Sequence, residues 1–328
     1  MVEHYHPDAK QIADTELSIS VVICTYGRAE SIFNAIQSVL NANPEFKELI
    51  VVDQNEDRNT YLALCPLLGD ERMRYIHTHI KGVSNARNLG MELATSDIVG
   101  FTDDDCNVYP DWLNFHRKVF SSYPEVDLCF GTVLAADHDT MSGYIPDYTI
   151  SKNHICRSWR EKLNARGIGA NFAVRRLAIL EMGGCDTRLG PGSDLYAAED
   201  RDLTLRCLLT GRGVYECKDS VVVHSGFRDW NSGRYHTRRD WFGLGATHAK
   251  PLRIGHAHAL LYILHEFTCF ALLPFILATL TFRPQRGWTR ISAFIAGFIE
   301  GWSAPIDRTR QCYLPVVPAI ASKTGQVT

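Results

Sequence analysis

Paired cysteines are missing from this chain. Its ten cysteines stand singly, at 24, 65, 106, 129, 156, 185, 207, 217, 269 and 312, and no two make a C-x-x-C pair. Zinc-ribbon spacing is therefore absent. Several thiols sit inside apolar runs such as "VVICTY" and "DLCFG", which suits buried free cysteines in a reducing cytosol. A large net charge is missing too: 34 Lys and Arg stand against 37 Asp and Glu, a formal −3 over 328 residues. The molecule as a whole is no polyanion binder, and no nucleic-acid partner is expected. Residues 1–17, "MVEHYHPDAKQIADTEL", lack the basic-then-apolar order of a secretory signal and are expected to form a loose leader.

The small net charge hides an asymmetry. Residues 225–328 hold 12 Lys and Arg against 5 Asp and Glu, whereas residues 1–224 hold 22 against 32. An acidic body followed by a basic tail suits phosphate-bearing ligands or an anionic membrane surface.

Apolar patterning gives the architecture. "ISVVICT" (19–25), "KELIVVD" (47–53), "MRYIHT" (73–78) and "DIVGFTD" (97–103) read as buried strands. Helical spacing falls between them at 29–42, at about 58–68, and at 84–95 with Ser84 as N-cap. This alternation predicts a Rossmann-like, mostly parallel α/β sheet flanked by helices, with ligands outside the carboxyl ends of the strands. Further on, "GIGANFAVRR" predicts a glycine turn and a strand, "EDRDLTLRCLLTG" (199–211) an amphipathic helix, and "VYECKDSVVVH" (214–224) a hairpin-like pair of short strands.

Polar residues collect at those carboxyl ends: Thr25, Tyr26, Gly27 and Arg28 after the first strand, Asp53 after the second, Asp103, Asp104 and Asp105 after the fourth. Three consecutive carboxylates repel one another, and burial raises the cost. A divalent cation among them removes the conflict, and hard oxygen ligands favour Mg²⁺ or Mn²⁺ completed by substrate phosphates. "DDDCNVYPDW" has neither the spacing nor the glycine of an EF-hand. At 199–200, Glu199 and Asp200 open a helix. Alone they read as helix-charging residues; beside a metal-diphosphate site they become candidates for general-base chemistry. His77 and His79 have metal-like spacing but no evident third ligand, and are expected at a loop edge.

The segments "ISVVICTYGR", "LIVVDQ", "GVSNARNLGMELATSDIVGFTDDD", "GANFAVRR" and "AAEDRDLTLRCLLTGRGVYECKDSVVVH" together resemble the family 2 glycosyltransferases of the GT-A fold, in order and spacing, from about Ile19 to about His224. The resemblance implies an inverting transfer from a nucleotide sugar, UDP-linked by preference, to a saccharide or lipid-linked acceptor, as in surface polysaccharide or glycolipid biosynthesis. It also implies site roles. Thr25, Tyr26, Arg28, Asp53 (reading the uracil edge), Arg87, Asp103 and Asp104 would bind the nucleotide sugar. Asp105 and His224 would hold the metal, Mn²⁺ or Mg²⁺. Asp200 would be the general base beside Glu199.

On this basis residues 18–225 form the transferase domain, with a nucleotide-binding half (18–110) and an acceptor half (111–225). Residues 226–328 form a basic, apolar helical extension. Residues 259–282 are long enough to span a bilayer, yet contain His265, Glu266 and Pro274. A helix lying in the interface fits better, flanked by Arg253, Arg283, Arg286 and Arg290, with Tyr262, Trp288 and Trp302 at headgroup level; a buried helical subdomain covering the sheet is the second reading, and a true span the third. Arg238 and Arg239 could clamp a diphosphate. The expected location is cytoplasmic, peripheral on the inner membrane's cytoplasmic face. Two rival readings are a nucleotidyltransferase, which would want a glycine-rich loop that "CTYGRAES" does not supply, and a non-catalytic scaffold, which would not keep all these carboxylates.

Overall fold

The computed structural model describes residues 17–42, 46–280 and 285–316. The leader up to residue 16, Arg283 and residues 317–328 lie outside the described residues. The first half alternates as its patterning predicts: β1 (Ile19–Thr25), α1 (Ile32–Ala42), β2 (Glu48–Asp53), α2 (Asn59–Leu64), β3 (Met73–His77), α3 (Val83–Leu93) and β4 (Ile98–Asp103). Then follow β5 (Cys106–Val108), α4 (Trp112–Ser122), β6 (Val126–Ala135), β7 (Gly143–Tyr144), β8 (His154–Cys156), a 3₁₀ turn (Trp159–Asn164), β9 (Asn171–Arg175), α5 (Arg176–Glu181), α6 (Glu199–Leu209) and β10 (Gly213–His224).

Nine strands form one sheet in the order β3-β2-β1-β4-β9-β6-β10-β5, with β8 also on β10. β3, β2, β1 and β4 are mutually parallel. β9 is inserted antiparallel between β4 and β6. Because it runs the other way, β9 begins at the edge where the parallel strands end. β1 and β2 are buried on both faces by Ile and Val, each such side chain contributing roughly 1.5–3 kcal/mol. One core lies under α1 and α4, the other under α3, α5 and α6.

Two local expectations are corrected. Ser84 is not an N-cap: Gly82 precedes α3 with φ +104°, and the Ser84 hydroxyl donates instead to the Leu189 carbonyl (2.8 Å), tying the helix start to a distant loop. Residues 214–224 are not a hairpin-like pair but lie within one strand, β10, parallel to β6 on both sides of a bulge between Cys217 and Val221. Thr132 Oγ1 and Asn171 Nδ2 donate to the bulge carbonyls of Lys218 and Ser220, both at 3.0 Å, so the chain leaves and re-enters the ladder without turning back.

The extension is helical: β11 (Arg228–Asp229), α7 (Gly233–Arg253), α8 (Ala259–Phe267), a π turn (Thr268–Leu272), α9 (Leu273–Leu280) and α10 (Gln285–Ser303). Pro274 has no N–H for the Phe270 carbonyl four residues back, and Arg290 Nη1 supplies the missing donor at 2.9 Å. Ala259–Leu280 is long and apolar enough to cross a membrane, with mean hydropathy 1.9. One face of α8, carrying Ala259, Tyr262, Ile263 and Glu266, is buried against the protein. Leu260, Leu261, Leu264, Leu273, Ile276, Leu277 and Leu280 are exposed.

Candidate active site

The parallel strands end abreast: Thr25 is in register with Asp53, and Cys24 with Asp103. This edge gathers the polar residues of three loops. Asp104 is buried, accepting from Thr25 Oγ1 (2.7 Å) and Arg28 Nη1 (2.8 Å). Burial pushes its carboxyl up to about 6 against the pull of Arg28 and Thr25. Arg28 Nη1 also lies 2.8 Å from Asp105, so one guanidinium offsets two adjacent carboxylates. Burial raises Asp103 as well, with Arg87 opposing.

Asp53 is fully buried. Its carboxylate accepts from the Asn55 backbone (2.9 Å), Asn55 Nδ2 (2.8 Å) and the Tyr75 hydroxyl. Asn55 Oδ1 in turn takes the Gly27 N–H at 2.6 Å, joining the loops after β1 and β2. Tyr26 is exposed at the rim, with the Lys81 ammonium 4.4 Å from its ring. His77 bonds the Asn55 carbonyl through Nε2 (2.7 Å) and meets the His79 ring edge-on.

β10 delivers His224 to the same edge, paired with Cys106 of β5. His224 Nδ1 donates to the Pro146 carbonyl (2.8 Å), which leaves Nε2 facing Asp105 Oδ1 at 3.4 Å. That carboxylate oxygen is buried without a hydrogen-bond partner among the described residues. Burial would raise Asp105, but the His224 ring and Arg28 outweigh it and hold it low. A Cβ on Gly226 would fall 2.5 Å from His224 Nε2 and 2.6 Å from Asp105 Oδ2, so the chain passes too close for any side chain. An orphaned carboxylate oxygen, a free imidazole nitrogen and a cradle closed by glycine fit a divalent cation with one oxygen and one nitrogen ligand. Cys106 Sγ shares this cluster, but burial and the flanking Asp103 and Asp105 hold it as a thiol.

The second acidic pair faces the first across Arg87. Buried Arg87 donates to Glu199 Oε1 (2.9 Å) and to the Gly169 carbonyl (3.0 Å), and lies 3.5 Å from Asp103. Burial and the neighbouring Asp200 push the Glu199 carboxyl up to about 7, with Arg87 opposing. Asp200 accepts the N–H of Gly169 at 3.0 Å and that of Arg201 at 2.6 Å. Gly169 thus holds Asp200 through its amide and Arg87 through its carbonyl. A Cβ there would meet Arg87 Nη2 at 2.8 Å.

Ten of the eleven sequence-predicted residues lie at this edge or in the ion pairs that meet it, and Asp200 joins them through the Gly169 amide. Sequence patterning did not single out Asn55, Gly169 or Gly226. The only signal for the last two was a glycine next to a motif, two residues before β9 and two after His224. Arg239 lies between the Tyr196 and Tyr235 rings, 5.3 Å from each, while Arg238 is exposed.

The mixed, mostly parallel sheet with its flanking helices is the fold of the GT-A glycosyltransferases. Residues 20–182, about half the chain, match the family model "Glycosyl transferase family 2", and the chain belongs to that family. It is 29% identical over 246 residues to the glucosyl-dolichyl phosphate glucuronosyltransferase of Haloferax volcanii, spanning 69% of this chain and 72% of that one. It is 27% identical to the GalNAc(5)-diNAcBac-PP-undecaprenol beta-1,3-glucosyltransferase of Campylobacter jejuni, over 50% of this chain and about half (53%) of the relative. Among solved structures, S. aureus TarS 1-349 superposes with TM-score 0.59 at 15% identity, over 87% of this chain and 82% of that one. The mannosyltransferase PcManGT of Pyrobaculum calidifontis, in complex with GDP-Man and Mn²⁺, gives TM-score 0.57 at 18% identity, over 88% of each chain.

Proposed function

We propose that this glycosyltransferase moves a sugar, with inversion, from a UDP-sugar to a saccharide borne on a lipid phosphate, in surface polysaccharide or glycolipid assembly. The observation that carries it is Arg87, which touches Asp103 at the end of β4 and Glu199 at the start of α6. On this reading the donor-side and acceptor-side acids share one arginine. The named acceptors of the Haloferax and Campylobacter relatives are both lipid phosphates carrying sugar.

On this reading Asp105 and His224 hold Mn²⁺ or Mg²⁺, which would neutralise the leaving diphosphate. Arg28, Thr25 and Asp104 position the nucleotide sugar, with Tyr26 open to the base and Asp53 turned to the uracil edge. Asp200, oriented by the Gly169 N–H, removes the proton of the acceptor hydroxyl from the face opposite the leaving group. Glu199, fixed by Arg87, orients that hydroxyl. The exposed leucines of α8 and α9 lie on an anionic membrane surface, on the cytoplasmic face of the inner membrane, where a lipid-linked acceptor is found.

The test is nucleotide release from UDP-, GDP-, dTDP- and CMP-sugars with Mn²⁺, on wild type and Asp200→Asn. The variant should lose roughly 10²–10⁴ in kcat with nucleotide affinity little changed. Near-normal turnover would remove Asp200 as base, and no release from any donor would sink the transferase reading.

A further inference from the structure

Three cations crowd the side of α6 that meets the extension. The 3₁₀ turn packs against both α6 and α8. Its Lys162 is buried, donates to the Ala165 carbonyl (3.0 Å) and points its ammonium at the Tyr262 ring, 5.5 Å from the centroid. Burial and the nearby Arg201 charge bring that ammonium down to about 7. Arg166 pairs with Glu266 of α8 at 3.3 Å and covers the Phe270 ring at 4.4 Å. Arg201, directly after Asp200, is part-buried, and its guanidinium makes no hydrogen bond or ion pair among the described residues. The ionisable groups nearest it are Asp200, Glu266, Tyr262 and Tyr148, of which the two carboxylates carry charge at neutral pH.

The carboxylates around this cluster are engaged elsewhere: Glu216 accepts from the Arg166 and Gly167 amides and the Tyr148 hydroxyl, and none among the described residues bonds the Arg201 guanidinium. Glu266 is taken by Arg166, and Asp200 is turned to Gly169 and its own helix start. Withdrawing a guanidinium from water without a partner is costly, and its planar fork matches a phosphate. The side of α8 away from Glu266 exposes Leu260, Leu261 and Leu264. We infer that Arg201, flanked by Arg166 and Lys162, binds the phosphate of the lipid-linked acceptor beside Asp200, with the lipid chain crossing α8 to reach its leucine face. The inference rests on the acceptor reading given above.

Calorimetry on the full chain tests it with three probes: decyl phosphate, decyl glucoside and inorganic phosphate. Decyl phosphate should bind at least about tenfold tighter than the other two. Arg201→Gln should lose about tenfold on decyl phosphate, Arg201→Lys less, with UDP–Mn²⁺ affinity changed by less than about twofold in both. Equal binding of decyl phosphate and decyl glucoside by wild type overturns the site whatever the variants do. Inorganic phosphate binding as tightly as decyl phosphate assigns the cluster to a free anion and overturns the lipid source. Unchanged decyl phosphate affinity in folded Arg201→Gln also overturns it. Arg201-dependent binding without nucleotide release from any sugar donor would leave this site standing and remove the transferase reading; turnover with indifference to decyl phosphate does the reverse.

Discussion

Gly226 and Asp105 carry the sharpest expectations at the scale of single residues. Asp105→Ala should abolish the metal-dependent part of UDP binding and leave the fold intact, because Arg28 keeps Asp104 as its partner. Gly226→Ala should lower Mn²⁺-dependent UDP affinity by about 10–100-fold, since its methyl would enter the space between Asp105 and His224. Titrations of UDP with and without Mn²⁺ check both; unchanged affinity in either would take the pair out of the metal site. At the far end of the sheet, Glu48 accepts from Ser20, Thr95 and Arg74. Burial works against ionisation there, but these donors win and bring its carboxyl down to about 2 from the ordinary 4.5. Because the folded value is the lower one, the stabilisation is complete above about pH 4.5 and is lost as pH falls through 2. Glu48→Gln should cost about 1.5–3 kcal/mol at neutral pH, with the difference from wild type shrinking below pH 4.5 in urea melts. A constant difference across that range would contradict the assignment.

Elements were legible where a local pattern decides them. The four parallel strands and the helices between them follow from buried runs and helical spacing, and so did the edge on which the carboxylates meet. Partnerships across long stretches were not. Nothing near Arg87 signals that it pairs with Glu199, 112 residues away. The bulge in β10 looked like a turn because "KDS" is polar, and only the side chains of Thr132 and Asn171 on other strands show why it stays in the sheet. The same holds for Lys250 of α7, whose buried ammonium contacts Asp186 and also Asp202 of α6, the latter at 2.6 Å. Arg206 completes the group on Asp202 at 2.8 Å. α7 thereby braces the helix that begins with Glu199 and Asp200. Lys250→Met should cost about 3–5 kcal/mol, the usual penalty for stranding buried charge, read by chemical denaturation. A loss no larger than that of a surface substitution would mean that α7 merely rests against α6.

At the scale of the whole molecule, the tail that follows the acidic body is mostly helical, and Ala259–Leu280 exposes a row of leucines. Glu266, which argued against a membrane span when only the sequence was considered, is turned inward to Arg166, and the side of α8 away from it is leucine. The protein should float with phosphatidylglycerol vesicles and be released by alkaline carbonate, as a surface-bound protein is. Leu261→Glu combined with Leu264→Glu should abolish flotation while UDP–Mn²⁺ affinity stays near wild type. Resistance of the wild type to carbonate would instead indicate a spanning helix.

Gly169 gives the two substrates a common currency. Its amide steadies the carboxylate proposed to serve the acceptor, and its carbonyl anchors the arginine that leans on Asp103 at the donor end. A displacement of Arg87 therefore reaches the second acidic pair twice over, directly at Glu199 and through Gly169, which has no side chain to absorb it. On the proposed roles, donor and acceptor affinities should not be separately adjustable: a new sugar specificity engineered at the carboxyl edge of β4 should retune the acceptor hydroxyl's environment, and the reverse, unless the geometry at Gly169 is kept.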